Sequence, residues 1–289
     1  MGLSIAMKIN FPLLALAVGA FAIGTTEFSP MGFLPEIAND LSVSIPQAGL
    51  LISAYAVGVM IGAPLMTLWL ARFPKKTALI LLMAIFTIGN VLATVAPDYM
   101  SLMGARLMTS LNHGAFFGLG SVVAASVVPK DKQASAVAMM FMGLTIANIG
   151  GVPLATWLSQ NTSWRMAFAV ISILGIITML ALWKALPQDH DVVKPNVAKE
   201  LRVLTRAPVV LALLTTVMSA GAMFALYTYI APSLHVFMQA SPQTITLMLV
   251  LIGIGFSIGN HLGGKFADLS LEKTLIGFLV LLMVMMLVF

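Results

Sequence analysis

The sequence predicts an all-α integral membrane protein, a complete six-helix bundle followed by about three helices of a second bundle. Three observations predict it. Of 289 residues, 60% are hydrophobic and 9% charged, with a mean hydropathy of +1.03, whereas an ordinary soluble domain carries about a quarter charged residues. Apolar runs of roughly 20 residues, the helical length that crosses a bilayer core of about 30 Å, recur nine times along the chain. Between these runs the basic residues fall almost entirely in alternate gaps, the pattern of a chain threaded back and forth across a membrane.

The first span, about Phe11 to Leu34, is long, contains Glu27 and Pro30, and lacks a small-residue cleavage pattern after a short apolar core. It therefore reads as a retained helix and not as a secretory signal, with Met7-Lys8 as a second candidate start ahead of it. The second span, Gln47 to Leu70, contains Gly58, Gly62 and Pro64, and the third runs from Thr77 to Val95. The fourth, Tyr99 to Val127, carries a polar stripe: Arg106, Ser110, His113 and Phe117 recur at spacings of four, three and four, which puts them on one helix face with Asn112 round the side. The fifth, Ala134 to Leu158, has Gly143, Ala147, Gly151 and Ala155 at successive fourth positions, a groove that admits another backbone closely. Pro153 within it predicts a kink. The sixth runs from Trp164 to Leu186, and Trp164 reads with Trp69 and Trp183 as an anchor at the membrane interface.

Residues 187–207 form the longest and most polar gap. They divide the chain into a six-helix bundle over 1–186, a cytoplasmic linker over 187–207, and a partial bundle over 208–289. The last part holds spans from Pro208 to Ala231, Gln243 to Ala267 and Thr274 to Phe289. Span 8 repeats the small-residue ladder at Gly255, Gly259 and Gly263. At an offset of 197 residues, Gly58, Ile61, Gly62, Lys76 and Thr77 recur as Gly255, Ile258, Gly259, Lys273 and Thr274. Repeated helix bundles are a transporter signature, with the binding site between halves near the midplane.

Every Lys and Arg except Arg106 and Arg165 lies at the N-terminus, beside the gaps that follow the even-numbered spans, or in the linker, whereas the opposite gaps carry Glu36, Asp40 and Asp98. Basic residues near span ends stay in the cytoplasm, so the N-terminus is predicted inside and the ninth span would leave the C-terminus outside.

Glu27 is the only acidic residue deep within a span. An ionised carboxylate in lipid is costly, so it is expected to face a cavity or to pair. It lies nine residues before Glu36, hence roughly 13 Å below that surface at about 1.5 Å per residue. Arg106 lies eight residues after Asp98 on an antiparallel span, hence roughly 12 Å deep on the same scale. Matched depth and opposite charge make Glu27 and Arg106 expected partners, either as a proton- or substrate-responsive carboxylate tuned by an arginine or as a structural ion pair. His113, with Asn112 beside it, is a candidate for proton shuttling or for hydrogen bonding a substrate. Tyr227, with Phe116, Phe117 and Tyr229, is a candidate lining of an apolar chamber.

Other classes are excluded or weakened by what is missing. With no cysteine and four scattered histidines there is no metal site to read. No Gly-Lys-Ser/Thr phosphate loop, Gly-x-Ser-x-Gly elbow or His-Glu-x-x-His occurs, so neither an enzyme nor nucleotide-driven transport is expected. The pI near 9.6 does not indicate nucleic acid, because the basic residues sit in short loops between apolar runs. The expected partners are a small-molecule substrate and the lipid bilayer.

Several stretches resemble the major facilitator superfamily, in its drug/proton antiporter and sugar-efflux branch: Thr26-Glu27-Phe28 with Gly32-Phe33-Leu34-Pro35, Ser53 to Gly58, Gly62-Ala63-Pro64, Asn112 to Gly118, and Ser163-Trp164-Arg165 with Phe168. The resemblance implies twelve helices in two halves and alternating access, with proton-coupled efflux of sugars or drug-like solutes across a bacterial inner membrane and no cofactor beyond the proton gradient. It implies a gating loop after span 2, kept as Arg72, Lys75 and Lys76 with Thr67, Ala71 and Pro74 in place of the usual Gly, Asp and Gly. A second copy after span 8 keeps Asp268 and Lys273, with Leu269 where arginine is usual. It also implies that helix 5, whose antiporter motif survives as Gly143, Gly150, Gly151 and Pro153, packs on helix 8 through Gly255 and Gly259. Because this chain stops within its ninth span, a truncated product is expected, with a facilitator needing no proton, or a fragment without transport, as the rival readings.

Overall fold

A computed structural model describes residues 10–187 and 205–288. The linker assignment over 187–207, with Lys194, Lys199 and Arg202, falls almost wholly outside the described residues, as does Lys8. The chain is helical throughout the described residues: α1 (Phe11–Gly32), α2 (Leu34–Asp40), α3 (Ile45–Leu70), α4 (Lys75–Thr94), α5 (Tyr99–Ser110), α6 (His113–Ser126), α7 (Gln133–Ile146), α8 (Val152–Asn161), α9 (Trp164–Ala185), α10 (Ala207–Thr228), α11 (Ile230–Met238), α12 (Pro242–Leu269) and α13 (Leu271–Val288). Among the described residues, seven helical stretches are long and apolar enough to cross a membrane. The expected fourth span is divided between α5 and α6, and the ninth is α13.

Helix starts at the end of the bundle bearing Glu36, Asp40 and Asp98 are fixed by side-chain caps. Ser44 Oγ accepts from Gln47 N while Gln47 Oε1 accepts from Ser44 N, and Asp98 with Ser101 makes the same reciprocal pair. Ser163 and Ser241 cap α9 and α12. A clasp closes this acidic end of the first bundle. Asp40 Oδ2 accepts from Arg165 Nη1 and, at 3.0 Å, from Trp164 Nε1, and Arg165 Nη2 donates to Ala96 O at 2.9 Å. Trp164 is therefore no interface anchor: it is 2% exposed, because its indole N–H finds its partner inside the clasp. Trp69 and Trp183 are exposed as expected of anchors.

Two departures from straight helices follow from local chemistry. In the fourth span Ser110 Oγ donates to Leu107 O at 2.7 Å, competing with the backbone ladder, and the regular bonding lapses at Leu111 and Asn112. Both keep right-handed helical dihedrals, so the span stays nearly straight and its polar stripe keeps one face. In the fifth span Pro153 has no N–H to donate and its ring excludes the carbonyl four residues back. The chain accommodates it with a wide π-turn over Ala147–Gly151 between α7 and α8.

Helix α1 is wrapped by α7, α8 and α9, and α4 packs on α9 and α5. Gly143 sits where α7 crosses α1, and a Cβ there would run into the backbone of Ala17 and lie 3.0 Å from Phe21 N. The second bundle meets the first through α12, but not through the ladder expected from sequence. A Cβ at Gly255 or Gly259 meets nothing within 4 Å, whereas one at Gly253 would strike the carbonyl of Asn148. Gly253 lies two residues, and so about 200° of helical turn, from Gly255, which turns the period-four ladder away from the contact.

A further apolar seam between the halves gathers Met31, Leu34, Ala48 and Ile52 with Ile230, Ala231, Leu234 and Leu249. All lie toward the acidic end. Toward the basic end Leu211, Leu214 and Met218 of α10 are exposed.

Candidate transport site

The centre of α1 is held by its neighbours through Thr26. Thr26 Oγ1 donates to Asn90 Oδ1 on α4 at 2.6 Å, Asn90 Nδ2 donates to Phe86 O at 2.9 Å, and the carbonyl of Thr26 accepts from Arg106 Nη1 on α5 at 2.8 Å. This fixes the adjacent Glu27 in rotation and depth. Its Oε2 lies 4.0 Å from His113 Nδ1, and the same nitrogen is 3.1 Å from Tyr55 Oη. Which of them donates depends on where the imidazole proton sits.

Arg106 is 1% exposed and does not hydrogen-bond Glu27. Its guanidinium lies 4.3 Å from the centroid of the Tyr55 ring, a cation–π contact, and its Nε and Nη2 have no hydrogen-bond partner. The direct pair expected from matched depth is therefore replaced by a cluster in which Tyr55 touches both Arg106 and His113. Matched depth left open the direction in which each side chain leaves its helix.

Glu27 and Tyr55 line a cavity of about 590 Å³ that also touches Met31, Ser53, Phe224 and Thr228. Its walls are α1, α3 and α10, so it lies between the halves. Tyr227 is 4% exposed, with its ring 5.9 Å from that of Phe28 and 5.8 Å from that of Phe256, and its hydroxyl has no partner. Asn112 is set apart from the cluster, because its amide turns to α4, where Nδ2 meets Met83 Sδ at 3.9 Å.

Sequence reasoning gave Tyr55 no role of its own and passed over Asn90. Asn90 is the only carboxamide in its span, which was a usable signal. Tyr55 offered none, since a lone tyrosine in an apolar helix reads as core.

The expected gating residues lie at the basic end. Arg72 Nε donates to Trp69 O at 2.9 Å and its guanidinium stacks near Trp69 and Phe73. Lys76 Nζ donates to Leu186 O at 2.8 Å, capping the end of α9, and Lys75 begins α4. Lys273 opens α13, with its backbone N–H on Ser270 Oγ, and the side chain of Asp268 lies outside the described residues. Gly151 packs on Thr25 and Phe21.

At the acidic end Glu36 of α2 faces the seam with α11. Burial raises its carboxyl above the usual glutamate range, opposed by a hydrogen bond from its own backbone and by the charge of His235 on α11, and its Oε2 has no partner. A group with a raised value binds its proton more tightly in the packed state, so packing weakens as pH rises through and above the ordinary value of 4.5. The chain has no cysteine, so one placed at Leu34 reports the seam alone. Its maleimide labelling, divided at each pH by that of a cysteine at the exposed position of Met100 so that thiol ionisation cancels, is expected to be several-fold faster at pH 8 than at pH 5, and Glu36→Gln is expected to remove that remaining difference.

Comparison with known proteins agrees with this architecture. The family model described as Major Facilitator Superfamily matches residues 16–289. The chain is 67% identical over 281 residues to the inner membrane transport protein YdhP of Escherichia coli K12, covering 97% of this chain and 72% of that protein. It is 30% identical over 250 residues to a probable sugar efflux transporter of Helicobacter pylori, covering 86% and 64%. Its fold superposes with a TM-score of 0.73 on a bacterial homolog of the human lysosomal transporter Spinster in an inward-facing conformation, at 18% identity and covering 90% and 63%. By helical architecture, by a charged cluster in the first bundle beside a cavity between the two, and by these likenesses, the chain belongs to the Major Facilitator Superfamily of membrane transporters.

Proposed function

We propose that the protein exports small organic solutes across a bacterial inner membrane in exchange for protons, by alternating access, with Glu27 carrying the proton. The observation that carries this is the position of Glu27, the one carboxylate within a span, on the wall of a cavity between the halves and 4.0 Å from His113. The names of its relatives support transport and efflux. The direction of the chain rests on its basic residues, which put the N-terminus and the basic end in the cytoplasm.

In this reading the present arrangement, sealed along the acidic-end seam, opens inward. An ionised Glu27 draws on the unpartnered Nε and Nη2 of Arg106, and protonation releases it toward Tyr55 and His113. Because α1 carries both Glu27 and, one turn further on, the seam residue Met31, with Leu34 opening α2 just beyond, a change at the carboxyl is transmitted along α1 to the seam. Proton entry from outside and solute exit then use the same rocking of the halves. The energy source is the proton gradient, with no bound cofactor.

The test is uptake of labelled solutes, sugars and drug-like compounds among them, into inverted vesicles containing this chain. Accumulation is expected to fall to the level of vesicles lacking the protein when a protonophore collapses the pH gradient. An unchanged initial rate and final level would replace the exchange reading with a proton-independent facilitator.

A further inference from the structure

A second cavity, of about 600 Å³, lies on the other side of α1, walled by α7, the π-turn, α10 and α12. We propose that the two compartments divide the work of transport: the Glu27 cavity handles the proton, and this uncharged cavity holds the solute, a neutral molecule with an aromatic or alkyl body and a hydrogen-bond donor accepted by Asn148 Oδ1. The proposal rests on the transporter reading above and names the class of its substrate.

Among the described residues no charged side chain lines this cavity, and Phe28, Phe141, Met142, Met223 and Phe256 are in its wall. Aromatic and thioether groups suit a planar or alkyl body of variable shape. Of its three polar lining residues, Ser135, Thr145 and Asn148, Asn148 is the one with a buried, unpartnered acceptor. It sits in the π-turn that Pro153 imposes, its Nδ2 donates to Leu144 O at 3.0 Å, and its Oδ1 is buried with no partner. A buried acceptor without a donor is unfavourable, and a ligand hydroxyl or amide N–H would relieve it.

A polyol would surrender many hydrogen bonds to water and regain few here. A permanent cation would find aromatic faces but no counter-charge, and would leave Asn148 unmet.

The partition between the compartments is aromatic. Phe28 lines the uncharged cavity, Phe224 lines the Glu27 cavity, and their rings stack with centroids 5.7 Å apart. Phe28 follows Glu27 directly in α1. A second link runs from Phe141 in the solute wall, stacked 5.0 Å from Phe117, to His113, 5.1 Å further on. A solute that shifts either wall therefore shifts a neighbour of the proton cluster.

The experiment is equilibrium binding to the purified chain in detergent, with no pH gradient, of three tritiated probes sharing one aromatic body: 2-naphthylmethanol, its methyl ether, and the naphthylmethyl trimethylammonium ion. The saturable component of the alcohol is expected to be at least fivefold tighter than that of either other probe. Asn148→Leu, with the same heavy-atom branching but without the acceptor, is expected to erase the difference between alcohol and ether. Should that variant fail to fold, Thr145→Glu serves, since it places a carboxylate in the same wall and is expected to reverse the order of alcohol and cation.

Equal or tighter binding of the cation by the unaltered chain would overturn the proposal. So would no saturable binding of the alcohol, or discrimination that survives Asn148→Leu. Because binding is read without a gradient, failure of proton coupling leaves this result standing, and failure here leaves gradient-driven transport of other solutes to be judged separately.

Discussion

Glu27→Gln is expected to lower the initial rate of gradient-driven solute uptake by roughly a hundredfold, the lower end of what a positioned proton-transfer group contributes. The substitution keeps the size and hydrogen bonding of the side chain and removes its ability to ionise. What is lost is the exchange of a proton for a solute, while solute-for-solute exchange, which moves no net proton, is expected to fall by no more than about threefold. That split separates a proton carrier from a structural residue, whose loss would lower both rates together. The neighbours sharpen the prediction. Arg106 is anchored by Thr26 O and by the Tyr55 ring and holds two nitrogens in reserve, so Arg106→Lys, a point charge without the planar fork, is expected to behave as a partial loss. Initial rates of both kinds of flux in inverted vesicles, normalised to protein amount, check the pair.

Gly143→Val is expected to be the most damaging single change to the fold. The added Cβ would meet Ala17 O and lie 2.9 Å from Ala17 C and 3.0 Å from Phe21 N. These are backbone atoms of α1, which no side-chain rotation can move aside. Either α7 retreats along its whole contact with α1 or α1 bends, and overpacking of this kind costs typically about 1–3 kcal/mol and more where backbone must shift. That is a large fraction of the roughly 5–15 kcal/mol by which a folded protein is stable, so the yield of monodisperse protein is expected to fall several-fold. Gly259→Ala provides the contrast, since nothing lies within 4 Å of its added Cβ. It is expected to be neutral or to stabilise by up to about 1 kcal/mol through helix propensity. Thermal unfolding of the two variants, followed by the shift in elution from a sizing column, checks the order.

Much of this fold is legible in the sequence because a bilayer demands long apolar helices and little else satisfies the backbone there. The spans, the polar stripe of Arg106 and His113, and the isolation of Glu27 follow from counting residues. What counting does not supply is rotation about each helix axis. Glu27 and Arg106 stand at matched depth, yet the arginine turns to Thr26 O and the carboxylate to His113, because a depth fixes one coordinate of a side chain and the packed neighbours fix the other. The same gap explains Gly255 and Gly259: a period-four ladder marks a smooth face without saying what lies opposite, and the close approach belongs to Gly253. Asn112 and Asn148 show it again. The first looked poised beside His113 but turns to Met83, while the second, unremarkable in sequence, is presented to a cavity by a π-turn. Trp164 looked like an interface anchor until its indole found Asp40.

The most direct measurement of the central claim is solute-driven proton movement in proteoliposomes with no imposed gradient, read by a pH-sensitive dye trapped inside. Diluting solute-loaded vesicles into solute-free buffer sends solute outward, and exchange through Glu27 predicts that the interior acidifies as protons enter, at a rate that follows the solute. The same dilution is predicted to give no pH change with Glu27→Gln. Solute efflux without acidification in the unaltered chain, or equal acidification in the variant, would contradict the account.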